Sequence, residues 1–408
     1  MKNPKTITIL TANFYPEDTA IGLYTTQFAQ HLAKEYQVHI ITGFPYYPQW
    51  EILDRYKNKN QYEEESLGAI KIYRYKQFVP KQVTITSRLK MIGSFVYGAF
   101  RNIKHIKETD LVICIVPFTF SILPAWWLAK QRKAKFWIHV QDFEFDLAFE
   151  SGILSKKNLL MSLFKAFVFK FESFLLNKAD VISSISQQML AKVPEKSKHQ
   201  EPFFFPNWIS GEMVNPKNFK KHDYLEAKHF NLLYSGNVGE KQDWELFIQV
   251  AELLLPYQNI QITIVGHGTY IENLKIKTAH LTNLQYKSLV PLDALNDLLC
   301  SASMHFLFQK NDVLDTVMPS KLLGMMASGK PCLVTGHQDS EVKKILTQEV
   351  GFYISQADPQ TVFNKIIEVF ENPEKTNEMG QQAIDVVFKN FSQQTVLDNF
   401  SNKIKAIL

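Results

Sequence analysis

Cysteine is scarce in this sequence, with three residues among 408. Cys114, Cys300 and Cys332 lie in or beside apolar runs, and no two of them have the C-x-x-C spacing of a zinc site or a redox motif. An odd number of dispersed cysteines also does not suit the disulfide framework of small secreted domains. We therefore expect a reducing, cytoplasmic setting.

Long apolar runs and metal-binding motifs are also missing. No stretch reaches the roughly 18 apolar residues of a membrane-spanning helix, and the apolar residues near the N-terminus are typical of a first strand rather than a signal peptide. There is no H-E-x-x-H, no D-x-D and no paired spacing of metal ligands, so we expect no protein-bound metal. The net charge of +5 is weak evidence for an anionic partner, and we expect no nucleic acid among the partners.

Length and residue patterning favour two α/β domains. At roughly 100–200 residues per domain, the chain is long enough for two cores. Short, continuously apolar runs alternate with helical patterns, which predicts doubly wound, Rossmann-like parallel sheets covered on both faces. The predicted strands are Ile7–Ala12, Val38–Thr42, Ile70–Tyr75, Leu111–Val116, Phe136–Val140, Val181–Ser183, Phe230–Tyr234, Ile260–Val265, Leu284–Lys287, His305–Phe308, Cys332–Thr335 and Phe352–Ile354.

A polar, basic segment separates the two halves. We predict an N-terminal domain over 1–208, a linker over 209–222, a C-terminal domain over 223–390 and a final helix over 391–408. Ligands of parallel α/β sheets bind at the carboxyl ends of strands, so the loops that follow strands are the candidate sites.

Two glycine-containing loops follow predicted strands of the second half. Gly236 lies in the first, ahead of Lys241 and a helix start, where free backbone N–H groups and the helix dipole favour a phosphate. Gly266 and His267 lie in the second, which has only a short G-x-G pattern. An ordinary turn with a solvated lysine explains the first loop equally well, and a plain strand-to-helix corner explains the second at least as well.

The segment Met318–Lys330 is the most informative stretch. Pro319 suits the first turn of a helix, so Ser320 and Lys321 fall where backbone N–H groups are free. A cation and a hydroxyl at that position can hold a diphosphate without a metal. An ordinary helix-to-strand unit with a Met and Leu core explains the segment as well.

Two loops of the first half carry further candidates. Gly22 enters the first helix and could let a substrate approach the backbone, although a long loop with one glycine also explains it. Asp142, Glu144 and Asp146 follow the strand that carries His139. Carboxylates there can hold sugar hydroxyls or transfer protons, and a solvated acidic turn is the alternative. We favour a functional role for Asp142 and Glu144.

The segments 87–107 and 155–178 combine a wide apolar face with flanking lysine and arginine. Helices of this kind can lie on an anionic membrane surface. Each alone is better explained as a domain helix whose apolar face packs on the sheet. Together they support the expectation of a peripheral contact with the inner membrane face.

Seven short motifs occur in an order and spacing shared with one enzyme family. They are Asn13-Phe-Tyr-Pro-Glu, Ile21-Gly-Leu-Tyr-Thr, Ile41-Thr-Gly-Phe-Pro-Tyr-Tyr-Pro-Gln-Trp, Val140-Gln-Asp-Phe-Glu-Phe-Asp, Pro206-Asn-Trp, Tyr234-Ser-Gly-Asn-Val-Gly-Glu-Lys-Gln, and Met318-Pro-Ser-Lys-Leu-Leu-Gly with Ala327-Ser-Gly-Lys-Pro. In these motifs the sequence resembles the family 4 (group 1) glycosyltransferases, in particular the branch that builds colanic-acid-type exopolysaccharides. The resemblance covers nearly the whole chain.

This resemblance implies the GT-B fold, in which two Rossmann-like domains face each other across a cleft. It implies retaining transfer of a sugar from a nucleotide-diphosphate sugar, which is the donor substrate and not a cofactor, to a glycan or lipid-linked oligosaccharide. The donor would sit mainly on the C-terminal domain and the acceptor on the N-terminal domain, to which the last helix would cross back.

The same resemblance assigns roles to individual residues. Lys241 matches the lysine that contacts the donor diphosphate, and Asp142 falls near the transferred sugar. The predicted catalytic residues are Lys241, Lys321, Asp142 and Glu144. The predicted donor-binding residues are Gly22, Gly236, Asn237, Gly266, His267, Leu289, Val290, Met318, Pro319 and Ser320.

Two features depart from the family pattern. Many members carry two glutamates eight positions apart, the second of which binds ribose hydroxyls, and here Thr316 and Gly324 stand at those positions. Asn237 stands where many relatives have arginine, which leaves Lys241 and Lys321 to neutralise most of the diphosphate charge. Two alternatives stay open: the missing glutamate pair allows a non-catalytic nucleotide-sugar-binding subunit, and the carboxylates of Asp142 and Glu144 allow a nucleotide-sugar 2-epimerase of the same fold.

Overall fold

A computed structural model describes residues 4–82, 84–150, 159–312, 320–347 and 349–408 of the chain. Contacts between residues divide the chain into two compact units. The first comprises Met1–Pro206 together with Leu397–Leu408, and the second comprises Asn207–Val396. Each unit has its own central sheet and buried apolar core.

The first unit is built, in its described residues, on an eight-stranded sheet of order β3-β4-β2-β1-β5-β6-β7-β8. Its strands are β1 (Thr6–Leu10), β2 (Gln37–Gly43), β3 (Tyr62–Leu67), β4 (Ile70–Tyr75), β5 (Leu111–Val116), β6 (Lys135–Val140), β7 (Val181–Ser184) and β8 (Phe203–Phe204). β1 and β5 are buried along their whole length, as expected for continuously apolar strands of a parallel sheet. β3 pairs antiparallel with β4, whereas the other neighbouring pairs are parallel.

Helices connect these strands. They are α1 (Ala20–Leu32), α2 (Asp54–Lys57), α3 (Ile85–Asn102), α4 (Ile122–Arg132), α5 (Glu144–Glu150), α6 (Leu159–Leu176) and α7 (Gln187–Lys196). α3 starts at a capping box, in which Thr84 Oγ1 accepts from the Ser87 N–H (3.2 Å) and Ser87 Oγ accepts from the Thr84 N–H (2.9 Å). α7 starts where Ser186 Oγ accepts from the Met189 N–H (3.1 Å).

The second unit is built on a six-stranded sheet of order β11-β10-β9-β12-β13-β14 within the described ranges. Its strands are β9 (Phe230–Ser235), β10 (Ile260–Val265), β11 (Leu284–Lys287), β12 (Met304–Phe308), β13 (Cys332–Gly336) and β14 (Phe352–Ser355). Its helices are α8 (Trp244–Leu253), α9 (Ile271–Lys277), α10 (Leu295–Ser301), α11 (Ser320–Ala327), α12 (Glu341–Ile345), α13 (Pro359–Glu371) and α14 (Pro373–Phe391). All neighbouring strands are parallel, and this order is that of a Rossmann sheet.

The polar segment 209–222, predicted as a linker, lies within the second unit. The N–H of Asn215 donates to Asn296 Oδ1 (2.7 Å), and the N–H of His222 donates to Ser301 Oγ (2.9 Å). The segment is therefore docked on α10. Its polar side chains and backbone groups make hydrogen bonds that its composition does not reveal.

The last helix, α15 (Gln393–Ile407), carries the chain back into the first unit at Leu397. Phe400 is fully buried there. Its ring centroid lies 4.5 Å from those of Phe28 and Trp137 and 4.2 Å from that of Phe205. Burying an aromatic side chain of this size contributes roughly 1.5–3 kcal/mol, so this contact fixes the helix on the first unit.

No helix in the described part of the chain has the length and apolarity needed to cross a membrane. Within the same ranges, no three His, Cys, Asp or Glu side chains lie close enough together to hold a metal ion.

Candidate active site

The carboxyl ends of the strands of the second unit lie along one edge of its sheet, because neighbouring strands are parallel. The chain builds outward from β9 to β10 and β11, then returns past β9 to β12. The switch point therefore lies between β9 and β12, where ligands of doubly wound sheets bind. The loops after β9 and β10 and the first turn of α11 lie there.

Lys321, the second residue of α11, points its ammonium group back to the end of β9. Its Nζ donates hydrogen bonds to Tyr234 Oη (2.7 Å) and to the carbonyl of Asn237 (3.2 Å). Tyr234 Oη donates in turn to the same carbonyl (2.5 Å). Burial lowers the pKa of Lys321 to about 8, because desolvation disfavours the charged form. A bound anion would stabilise the charged form of Lys321 and raise its pKa again, so the site favours an anionic ligand.

The glycines of the two loops have a steric reason. Gly236 has φ of +137°, and a Cβ there would lie 2.5 Å from Lys321 Cε. A Cβ on Gly266 would lie 2.0 Å from the carbonyl oxygen of Gly236. Only glycine lets the two loops and the lysine side chain approach this closely. Gly236 and Gly266 therefore make room for the side chain of Lys321.

Several backbone donors in the loop after β9 already have partners. The N–H of Gly236 donates to Val265 O (2.9 Å) and that of Val238 to His267 O (2.8 Å). The N–H of Gly239 donates to the Gln242 side chain (2.9 Å). Part of the predicted cradle of free N–H groups is thus used to hold the loop. The positive charge for a phosphate comes mainly from lysine side chains.

Lys241 lies in the same loop with an exposed side chain. Its carbonyl accepts from the N–H of Lys310 (3.2 Å), which follows β12. The helix that comes next, α8, starts with Asp243 Oδ1 accepting from the N–H of Leu246 (3.0 Å). Lys241 and Lys310 are consequently adjacent in space at the switch point, and sequence reasoning missed Lys310.

The other predicted donor residues lie further along the same edge. Asn237 and His267 are exposed. Leu289 and Val290 follow β11, and Leu289 is 47% exposed. β11 is two strands away from β9, which is roughly 10 Å at the usual interstrand spacing. The turn at Leu289 and Val290, predicted to bind the donor, is therefore separated from the lysine site but lies on the same edge of the sheet.

Met318, Pro319 and Thr316 lie outside the described residues, and Ser320 is the first residue of the helix. Gly324 is buried in α11, and a Cβ there would lie 3.1 Å from Leu299 Cδ1 on α10. A glutamate at this position would meet the apolar core. The packing around Gly324 therefore leaves no room for the ribose-binding carboxylate that many family members carry at this position.

In the first unit, Gly22 lies buried in the first turn of α1. A Cβ there would lie 2.6 Å from Glu17 Cβ and 2.9 Å from Glu17 O, so the glycine allows the loop after β1 to fold against the helix. Glu17 is buried, and its Oε1 accepts from the N–H groups of Tyr46 and Tyr47, both at 2.8 Å. Burial raises the pKa of Glu17, although these N–H groups lower it.

Arg74, on β4, completes this arrangement. It is fully buried and donates to the carbonyls of Tyr15 and Gly43 (the latter 3.1 Å) and to Glu65 Oε2 (2.8 Å). Arg74 and Glu17 thus tie together the loops after β1 and β2. Sequence reasoning missed both residues, although a lone arginine inside the apolar run of β4 was an available signal.

The carboxylates of the loop after β6 lie in different environments. Glu144 is buried, accepts from the N–H of Thr119 (3.2 Å) and lies 3.5 Å from Arg88 Nε. Burial raises its pKa, and Arg88 opposes that rise. Asp142 is partly buried in the turn before α5. Glu144 therefore holds the neighbouring loop in place, whatever chemistry it adds.

Asp146 and His139 make contacts that stabilise the fold of the first unit. Asp146 is paired with Lys192 (3.1 Å) and Lys196 (2.8 Å) on α7. His139 is buried within β6, bonded to Ser183 Oγ (2.8 Å), and burial lowers its pKa to about 3. The acidic cluster seen in the sequence thus does not form a single group.

Comparison with known proteins decides the family. A model of "Glycosyl transferases group 1" matches residues 216–386. WcaI of Escherichia coli K12, whose name describes it as a glycosyl transferase of colanic acid biosynthesis, is 32% identical over 366 residues, 86% of this chain and 88% of WcaI. The chain is a group 1 glycosyltransferase. The prediction of a glycosyltransferase is confirmed, and neither the epimerase nor the non-catalytic subunit is favoured.

Solved structures show that the enzyme has the predicted GT-B fold. Sucrose-phosphate synthase from Thermosynechococcus elongatus aligns with a TM-score of 0.72 at 14% identity, over 99% of both chains. HepE from Anabaena, solved with UDP and glucose, aligns with a TM-score of 0.65 at 12% identity, over 98% of this chain and all of HepE. At these identities the likeness shows the fold alone.

Proposed function

We propose that the enzyme transfers a sugar, with retention, from a nucleotide-diphosphate sugar to a glycan or lipid-linked acceptor in polysaccharide biosynthesis. The observation that carries this proposal is the Lys321 ammonium, held at the switch point of the second unit and destabilised there by burial. A donor diphosphate supplies the negative charge that such a partly buried cation lacks.

The order of loops along the edge supports a donor position. The exposed Leu289 turn suits a nucleobase, and the glycine loops and lysines at β9 suit the diphosphate. HepE, which has the same fold, was solved with UDP-glucose as well as with UDP and glucose. A nucleoside diphosphate linked to a sugar is accordingly the donor class we propose.

The lysines stabilise the leaving group. As the bond between the sugar C1 and the phosphate oxygen breaks, negative charge grows on the diphosphate, where Lys321 and Lys241 oppose it. The acceptor hydroxyl attacks C1 from the same face, and its proton passes to the leaving phosphate oxygen. This route requires no nucleophilic carboxylate from the protein and no metal.

The acceptor proposal rests on two supports. The relative WcaI is named for colanic acid biosynthesis, and polysaccharide units are transferred to glycans or lipid-linked oligosaccharides. The apolar, basic helices α3 and α6 fit an enzyme that works on the cytoplasmic side at the inner membrane face. We propose peripheral attachment there.

A donor screen tests the proposal. Nucleotide sugars are compared for thermal stabilisation, and a true donor at about 100 times its Kd should stabilise the enzyme by roughly 2.7 kcal/mol. Lys241→Ala should then reduce turnover severely, whereas Lys343→Ala on α12, also an exposed lysine, should not. Near-normal release of nucleotide by Lys241→Ala would contradict the assignment. Conversion of the donor without acceptor would indicate an epimerase instead.

A further inference from the structure

Three helices of the first unit cover one face of its sheet. α3 connects β4 to β5, α4 connects β5 to β6, and α6 lies between β6 and β7, so all three crossovers advance in the same direction along the sheet order. Right-handed crossovers in one direction place their helices on one face. α3 contacts α4, and Trp126 of α4 packs 6.3 Å from Phe174 of α6. We call this surface the three-helix face.

The three-helix face exposes large apolar side chains on every helix. Ordinary surfaces carry such residues singly, and a contiguous group marks an interaction site. Six of these side chains are between 40% and 67% exposed: Leu89, Tyr97, Phe100, Trp127, Phe167 and Phe174. Their aromatic rings are of the kind that occupies the boundary between headgroups and acyl chains.

The charge on α3, α4 and α6 is mainly positive. α3, α4 and α6 together contain seven basic residues and one acidic residue. The acidic residue, Glu172, is buried and paired with Lys196 at 2.6 Å. The basic residues are Arg88, Lys90, Arg101, Lys130, Arg132, Lys165 and Lys170. A partner for this face is therefore expected to be anionic as well as apolar.

Lysines also lie beside the exposed rings. Lys178, just after α6, places its Nζ 4.1 Å from the centre of the Phe174 ring and 5.1 Å from that of Trp126. Lys130 on α4 lies 5.6 Å from the same Trp126 ring. Cations at the rim of an aromatic layer can reach lipid phosphates while the rings enter the acyl boundary.

We infer that the three-helix face docks the enzyme on an anionic lipid bilayer. This inference gives a surface and a lipid chemistry to the membrane attachment of the proposed function. A bilayer fits better than a second copy of the chain, because a copy would bring the exposed basic residues of this face, such as Arg101, Lys130 and Lys170, against their own counterparts. Apolar insertion and attraction of lysine to lipid phosphate act together here.

Vesicle sedimentation of the full-length enzyme tests the inference. Vesicles of phosphatidylcholine with phosphatidylglycerol are compared with vesicles of phosphatidylcholine alone, at low and high salt. The charge variant replaces Arg101, Lys130 and Lys170 by glutamate, one on each helix. At about 1 kcal/mol per basic residue, loss of the three positive charges alone weakens partitioning by about 100-fold, and the added glutamates should weaken it further. The apolar variant, Trp127→Ser with Phe167→Ser, should also bind less.

Matched controls lie on the second unit. Lys343, Lys344 and Lys389 are exposed lysines, and Ile276 is 78% exposed. Their replacement by glutamate and serine, respectively, should leave vesicle binding unchanged. Thermal stabilisation by UDP-type nucleotides is measured on every variant, because it reports folding and donor binding independently of membranes.

The inference is supported if binding needs the anionic lipid, weakens with salt and is lost in both face variants. It is overturned if the enzyme does not bind these vesicles, binds neutral vesicles equally, or keeps its binding in the charge variant. A dimer in sedimentation velocity that dissociates on Trp127→Ser would also overturn it, since a second copy would then occupy the face.

Discussion

Replacing Lys321 by methionine should weaken donor binding and stabilise the unliganded enzyme at the same time. Burial lowers the pKa of this lysine from 10.5 to about 8, and each pKa unit corresponds to about 1.4 kcal/mol. The charged side chain therefore costs the unliganded fold about 3 kcal/mol at neutral pH. Methionine fills similar space, and Tyr234 Oη keeps its hydrogen bond to Asn237 O.

The lowered pKa of Lys321 also predicts how the free energy of unfolding changes with pH. Because the pKa is lower in the folded state, the unfolded chain binds more protons between about pH 8 and pH 10.5, and stability rises with pH in that window. Between pH 7 and 9.5 the wild-type free energy of unfolding should gain about 2 kcal/mol from this residue. Lys321→Met should lack that gain.

Denaturant unfolding of wild type, Lys321→Met and the exposed control Lys241→Met at the two pH values measures the difference. Donor affinity is measured in parallel and should fall by about 100-fold in Lys321→Met, since a charge-assisted contact is worth roughly 1.5–3 kcal/mol. The reasoning is refuted if Lys321→Met is less stable than wild type at pH 7. It is also refuted if it keeps the wild-type pH slope, or if Lys241→Met loses that slope.

Three further predictions follow from particular contacts. Gly236→Ala should impair donor binding, because the new Cβ would displace the Lys321 side chain, and should destabilise the enzyme by about 1–3 kcal/mol, because φ at this position is +137°. Calorimetry with the donor nucleotide measures the loss of affinity. Gly68→Ala, where φ is also positive but the surroundings are open, separates the effect of backbone strain from that of the clash with Lys321. Gly324→Glu should destabilise by several kcal/mol without improving nucleotide affinity, since the carboxylate would be buried near Leu299; recovery of affinity in a folded variant would contradict the packing. Between about pH 6.5 and pH 3, His139 and His305 should together lower stability by up to about 2.7 kcal/mol per pH unit as the pH falls, because burial lowers the pKa of both to about 3. Acid titration of His305→Asn should show a shallower fall than wild type, with about half of this contribution lost.

The sequence alone predicted twelve of the fourteen described strands to within two residues, because a buried parallel strand is a local apolar run. β3 was missed since an edge strand with three consecutive glutamates lacks that run, and β8 is only two residues long. The family motifs likewise placed Lys241, Lys321 and the glycine loops at strand ends, which the sheet order brings to one edge.

Tertiary structure decided which of these groups has which surroundings. Lys321 reaches Tyr234, 87 positions away, and only the packing of α11 against the end of β9 makes that ammonium a partly buried cation. Asp146 looked equivalent to Glu144 in the sequence, yet α7 supplies the two lysines that neutralise it. Burial and pairing depend on contacts between distant segments. The sequence therefore determined the helices, the strands and the candidate groups, and the fold determined how far each group is buried and which charged partners it has.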